Sequence, residues 1–221
     1  MSVTLGEEIM LLSLDDESGA AKEQQAAGWA VAGGILLELV LAGRLSVDGG
    51  RLTVADRTPT GVALLDERLA LMDAWAAKRS RPPEVTDWLA RDHAKAVGAT
   101  IDSLRARGLV SEEKRKVLGL FPVRRYPEAD GATEAELRER LASVVLRGAD
   151  PDDRSAGLVA LIHAAGLHRL AFPGVPAREV KPRMEKMAEG HWAGDDVRAA
   201  IRTMQAAMVA VTAAVVATTV T

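Results

Sequence analysis

Residues 28–45 read GWAVAGGILLELVLAGRL. The run is strongly apolar and stops at Gly43, a good position for a helix C-cap, so the stretch predicts a helix over 28–43. Two adjacent glycines, Gly33 and Gly34, sit near the start of that helix. A glycine in a helix interior costs about 1 kcal/mol against alanine, which this chain uses freely elsewhere. Two reasons for the pair are open. Without side chains, the glycines let another backbone or helix come very close. Alternatively a ligand headgroup approaches there, where amide N–H groups at a helix start favour phosphate. Trp29, just before them, either stacks beside such a ligand or packs.

Upstream, TLGEEIMLLSL at 4–14 predicts a first helix with Thr4 as N-cap and Glu7 completing a capping box. DDESGAAKEQQ is a polar loop. Downstream, Asp48-Gly49-Gly50 between short apolar runs predicts a hairpin turn. Residues 62–79 form an amphipathic helix with Leu65, Leu69, Met72 and Ala76 on one stripe, stopped by Arg81-Pro82-Pro83. Residues 84–108 hold two helical pieces ending at Gly108, and 109–127 form a second hairpin, with EEKRK as its turn and VLGLFPVRRY as its return. Thr133 and Glu136 suggest a capping box for a helix over 133–148. After Asp150-Pro151, residues 153–170 carry LVALIHAAGLHRL, FPGVP breaks the chain, and a mixed segment over 177–190 precedes a long helix from about 195. The expected architecture is mainly α: one helical domain over 1–221 with short β-hairpins, one of them protruding. LLELVLAGRLSVDGGRLTV and TIDSLRARGLVSEEKRKVLGLF share one plan of helix, glycine cap, strand, turn and strand, which resembles the recognition helix and wing of a winged-helix module.

Composition narrows the function classes. Aromatics are only 3%, so the core is built from Leu, Val, Ile and Ala, which suits packed helices. There is no cysteine, hence no disulfide, thiolate metal site or cysteine nucleophile. The net charge of −3 argues against a generic polyanion binder, so any affinity for anions must be local. The N-terminus lacks the basic region and long apolar core of a signal peptide, and a cytoplasmic protein is the expectation. Residues 203–221 carry no charge, but Ala, Thr and Val make them only weakly hydrophobic, which predicts a helix buried on the core rather than a membrane anchor.

No catalytic constellation stands out, and the chain is read as a binding protein rather than an enzyme, with no cofactor and no metal. His163 and His168 are five apart and on different helix faces, and no P-loop, G-x-S-x-G or post-strand GxGxxG occurs. The one odd surface is KRKVLGLFPVRR at 114–125, with five positive charges and no acid. Lys114, Arg115, Lys116, Arg124 and Arg125 flank an apolar ridge that includes Leu118, Leu120 and Phe121. Such a surface suits shallow insertion into an anionic bilayer, each cation contributing about 1 kcal/mol. It equally suits a ridge facing the core with solvated cations, or a wing on DNA phosphates.

The succession TLGEEIMLLSLDDESG, AGGILLELVLAGRL, TPTGVALLDERL and RARGLVSEEKRKVLGLF resembles, in order and spacing over nearly the whole chain, the Golgi phosphoprotein 3 (GPP34) family. The Ala- and Arg-rich composition suggests a bacterial relative. The resemblance implies a single, mostly helical domain with a protruding hairpin, here 109–126. It implies a peripheral membrane protein that binds phosphatidylinositol 4-phosphate, recruits protein clients and self-associates through the hairpin. It also implies a headgroup pocket, but the family's arginine before the Gly-Gly pair is Ala32 here, its upstream tryptophan position holds Glu23, and its two helix arginines fall on Ala94 and Val97. Lys95, Arg91 and Trp29 lie near but off register, so the resemblance carries the fold further than the headgroup selectivity. Expected partners are therefore an anionic membrane lipid, a protein client and a second copy of the chain. The rivals are a winged-helix-like nucleic-acid binder, the less favoured, and a scaffold that oligomerises through the hairpin.

Overall fold

In the computed structural model, which describes residues 3–14, 24–117, 121–127, 129, 131–189 and 195–219, the opening stretch is the axis of the molecule. It forms α2 (Gln24–Leu41), and every residue from 27 to 37 is buried. Around it pack α1 (Leu5–Ser13), α4 (Val85–Ala106), α6 (Asp153–Ala164) and α9 (Asp195–Thr219). A helix that is apolar all round can satisfy its surface only by being enclosed in this way. Because α2 begins before residue 28, Gly33 and Gly34 lie at its centre, not at its start as the sequence suggests.

α1 is buried along its whole length, Glu7 and Glu8 included, and its charges are met by partners from distant parts of the chain. The predicted capping box is present: the Glu7 amide donates to Thr4 Oγ1 and the Thr4 amide to Glu7 Oε2 at 2.7 Å. Ser103 Oγ and Arg107 Nη1 of the α4 end donate to the same carboxylate, each at 2.8 Å. Glu8 pairs with Arg140 at 2.8 Å and Arg154 at 3.2 Å, and Arg154 also bonds Glu38 and the Val3 carbonyl. Buried carboxylates are tolerable only with such charge-assisted bonds, so this network sets the place of α1 on the bundle.

α2 and α4 end alike. Gly43 (φ 69°) and Gly108 (φ 70°) take the left-handed conformation, with paired bonds Arg44 N–H to Leu39 O and Leu109 N–H to Leu104 O closing each helix. An antiparallel ribbon follows each. β1 (Leu45–Asp48) pairs with β2 (Arg51–Val54) about Gly49-Gly50, both at positive φ, as the sequence predicts. β3 (Glu113–Val117) pairs with β4 (Phe121–Arg125). The two helix–cap–ribbon units anticipated from the sequence are thus present. The remaining helices are α3 (Ala63–Ala76), α5 (Ala132–Val145), α7 (His168–Ala171) and α8 (Ala177–Glu189), so the described residues form a mainly α molecule with two short hairpins.

Four local expectations are corrected. Residues 84–108 form one continuous helix, because Gly98 adopts helical backbone and the buried stripe Trp88, Leu89, Asp92, Ala96, Thr100 and Leu104 runs unbroken past it. Gly131 (φ 68°) rather than Thr133 caps α5, and Thr133 lies inside its first turn. The 153–170 stretch is divided, since Gly166 (φ 71°) ends α6 and leaves His163 and His168 on separate helices. EKRK is not a turn but most of β3. Charged residues take ladder positions along this ribbon, so polarity there does not mark the reversal.

On α9, Ala200, Ile201, Met204, Ala207 and Met208 are buried against the bundle. Among the described residues no helix is long and apolar enough to cross a membrane.

Candidate functional site

The β3–β4 ribbon leaves the bundle where α4 stops. Its base is fixed by Ser111 N–H to Pro127 O at 3.0 Å, Ala129 N–H to Leu109 O at 2.9 Å, and an Arg105–Glu112 ion pair at 2.7 Å. Val110 is buried beneath it and Tyr126 packs against the core. Beyond this base the two strands pack chiefly on one another, so the ribbon projects. Its register pairs Lys114 with Arg124, Arg115 with Val123, Lys116 with Pro122, and Val117 with Phe121. Since alternate strand positions share a face, Lys114, Lys116, Pro122 and Arg124 fall on one side. Arg115, Val117, Phe121 and Val123 fall on the other, with Arg125 opposite Glu113 at the base. The strands join through 118–120, so the predicted Leu118 and Leu120 lie outside the described residues. The register thus sets Lys114, Lys116 and Arg124 in one row of ladder positions, and Arg115 with Val117, Phe121 and Val123 in the other.

The second candidate site does not converge. Trp29 is buried and stacks on His93 of α4, ring centroids 4.2 Å apart and planes within 10°. Gly34 faces α1: a Cβ there would lie 2.9 Å from the Gly6 amide nitrogen and 3.0 Å from the Leu5 carbonyl carbon. Gly33 faces the other way, toward Leu161 of α6 and Met208 of α9. The three residues look in three directions, each into packed protein, and the glycine pair is accounted for by close helix contact. Ala32 is in the core, Ala94 is exposed and Val97 half-buried, with Val97 Cγ2 3.5 Å from the Cβ position of Gly28. Glu23 lies outside the described residues.

The sequence reading passed over a buried ion pair between α3 and α4. Arg68 Nη1 meets Asp92 Oδ1 at 2.9 Å with both side chains at or below 6% exposure. Burial pushes the Asp92 carboxyl above its ordinary value, and the opposing pull of Arg68 and Lys95 does not cancel it. Arg68 lies on the apolar stripe of α3, where its sequence neighbours gave no sign of a partner 24 residues away.

With this geometry in hand, the class is that of a helical bundle bearing a cationic, partly apolar hairpin. Residues 5–204 match the Golgi phosphoprotein 3 (GPP34) family model, and the chain belongs to that family. It is 30% identical over 169 residues to vacuolar protein sorting-associated protein 74 of Eremothecium gossypii, an alignment covering 66% of this chain and 50% of the relative. The chain therefore spans about half the length of the curated relative it matches.

Proposed function

We propose that the chain is a peripheral membrane protein that binds anionic bilayers through the β3–β4 hairpin, as a non-catalytic adaptor. The observation that carries this is the register of the ribbon, which puts Lys114, Lys116 and Arg124 in one row of positions and Val117, Phe121 and Val123, with Arg115, in the other, on an element that projects from the bundle. Cations meet lipid phosphate while the apolar side enters the interface, each basic residue contributing about 1 kcal/mol near the surface. Family membership supports phosphatidylinositol 4-phosphate as the headgroup to test first. The residues at Ala32, Ala94 and Val97 support a weaker or altered selectivity, because a phosphomonoester needs charge-assisted donors that these side chains lack. The Ala- and Arg-rich composition fits a bacterial source, which makes phosphatidylglycerol and cardiolipin natural comparisons.

The test is liposome flotation with neutral, phosphatidylglycerol or cardiolipin, phosphatidylserine, and phosphatidylinositol 4-phosphate vesicles. Wild type runs beside a Leu120→Ser/Phe121→Ser variant. Flotation with anionic vesicles that the variant loses is the expected result. Absence of flotation at low salt overturns the membrane reading. It leaves hairpin-mediated self-association, which light scattering of a chain lacking 112–123 would reveal.

A further inference from the structure

A second concentration of positive charge lies at the other end of α4. The α3–α4 connection reads AKRSRP over 77–82, and all six residues are exposed. Its backbone is held in place by the first ribbon: Leu52 N–H donates to Pro83 O at 2.8 Å, Val85 N–H to Gly50 O at 2.9 Å, and Arg51 Nη1 to Pro82 O at 2.8 Å. Between this connection, β2 and the end of α3 lies a groove of about 320 Å³. Arg57, Arg79 and Arg81 line it together with the hydroxyl residues Thr53 and Ser80 and a single carboxylate, Asp73.

That carboxylate is already engaged. Arg57 donates to it through Nε at 2.8 Å and Nη2 at 2.7 Å, which fixes the guanidinium plane. Arg79 is fixed differently: its guanidinium lies 4.1 Å above the Trp75 ring, and its contact with Asp87 is loose at 3.8 Å. Part of the positive charge answers the negative end of α3. Arg57 and Asp73 offset one another and Asp87 meets Arg79 only loosely, so three arginines against two carboxylates still leave a local excess of positive charge in a protein whose net charge is −3. Planar donors held in place by neighbouring groups, with hydroxyls beside them, are the chemistry that recognises a phosphate ester.

We propose that this groove is a binding site for a phosphate monoester or diester, separate from the hairpin. It stands whether or not the hairpin meets a bilayer. The phosphate comes either from a lipid headgroup or from a soluble ester. The full chain would be titrated with glycerol 3-phosphate and with inorganic phosphate at constant ionic strength, following backbone amide shifts by NMR. An Arg79→Gln/Arg81→Gln variant and an Arg81→Gln single variant would be run alongside, with circular dichroism to check the fold. Saturable shifts at Thr53, Arg57, Ser80 and Arg81, weakened at least tenfold in the variants, are the expected result. Phosphatidylglycerol and phosphatidylinositol 4-phosphate vesicles form the second arm. Weaker flotation of the double variant assigns the phosphate to a lipid headgroup, and unchanged flotation with weakened glycerol 3-phosphate binding assigns it to a soluble ester. No saturable shift in the groove, or shifts that the variants leave unaltered, would overturn the proposal.

Discussion

The glycines of α2 and α4 look alike in sequence, and their surroundings separate them. A methyl group at Gly34 would press on the backbone of α1, which cannot move without shifting the Glu7 and Glu8 network. Gly34→Ala is expected to lower stability by about 1–3 kcal/mol, as overpacking of a dense core does. At Gly33 the nearest atoms are the ends of the Leu161 and Met208 side chains, so Gly33→Ala should cost less than Gly34→Ala. Gly98 has open space at its Cβ and helical backbone, so Gly98→Ala should stabilise by roughly 0.5–1 kcal/mol. Urea titrations of the three variants check the order. At the buried pair, Asp92→Ala leaves Arg68, 5% exposed, with only its 3.3 Å contact to the exposed Glu67 and should cost about 3 kcal/mol, whereas Arg68→Met with Asp92→Leu should recover most of that loss.

At the scale of the element, α6 and the hairpin offer opposite expectations. Asp152 caps α6, its side chain accepting from the Ser155 amide at 2.7 Å. Burial pushes its carboxyl up, but the Ser155 hydrogen bonds and the charges of Arg140 and Arg154 outweigh this and hold it below the ordinary value. A carboxylate lowered in the folded state contributes stability fully above the unfolded value near pH 4, and loses it as pH falls through the lowered value. Asp152→Ala should therefore cost about 1 kcal/mol at pH 6. The gap to wild type should close in increasingly acid solution, as read from urea midpoints across pH 6 to 2. The β3–β4 ribbon packs mainly on itself, so replacing 114–124 by Gly-Gly should move Tm by only a few degrees. A large drop would mean that the ribbon supports the bundle. The sequence announced this element by its charge run but misled about its turn, because the charged residues occupy the strands and the connecting residues, Leu118-Gly119-Leu120, carry no charge. The KRSR run before α4 is equally visible, but the prolines after it signal only a helix stop and not a groove.

For the whole molecule, α4 sets the layout. Its 22 residues span about 33 Å, with the arginine groove at its start and the hairpin beyond its end. Binding that depends on surface cations is screened by salt, so flotation on phosphatidylglycerol vesicles should weaken as salt rises from 50 to 500 mM. Lys114→Gln/Lys116→Gln/Arg124→Gln should weaken it further at low salt, by about 1 kcal/mol per charge removed.

Much of the architecture was legible in the residues themselves. The capping box at Thr4, the glycine caps at Gly43 and Gly108 and the Asp48-Gly49-Gly50 turn are local devices, and backbone sterics and short hydrogen bonds dictate them within a few residues. The apolar run of α2 likewise required enclosure whatever surrounds it. Only the tertiary structure decided what each polar group is for. Glu7 meets Arg107 across 100 residues, Arg68 meets Asp92 across 24, and Arg57 reaches a groove completed by Arg79 and Arg81. It also decided that Trp29, Gly33 and Gly34, close in sequence, meet different neighbours: Gly33 and Gly34 point about 100° apart, and Trp29, one turn before Gly33, meets a different helix because the partners of a central helix change along its length.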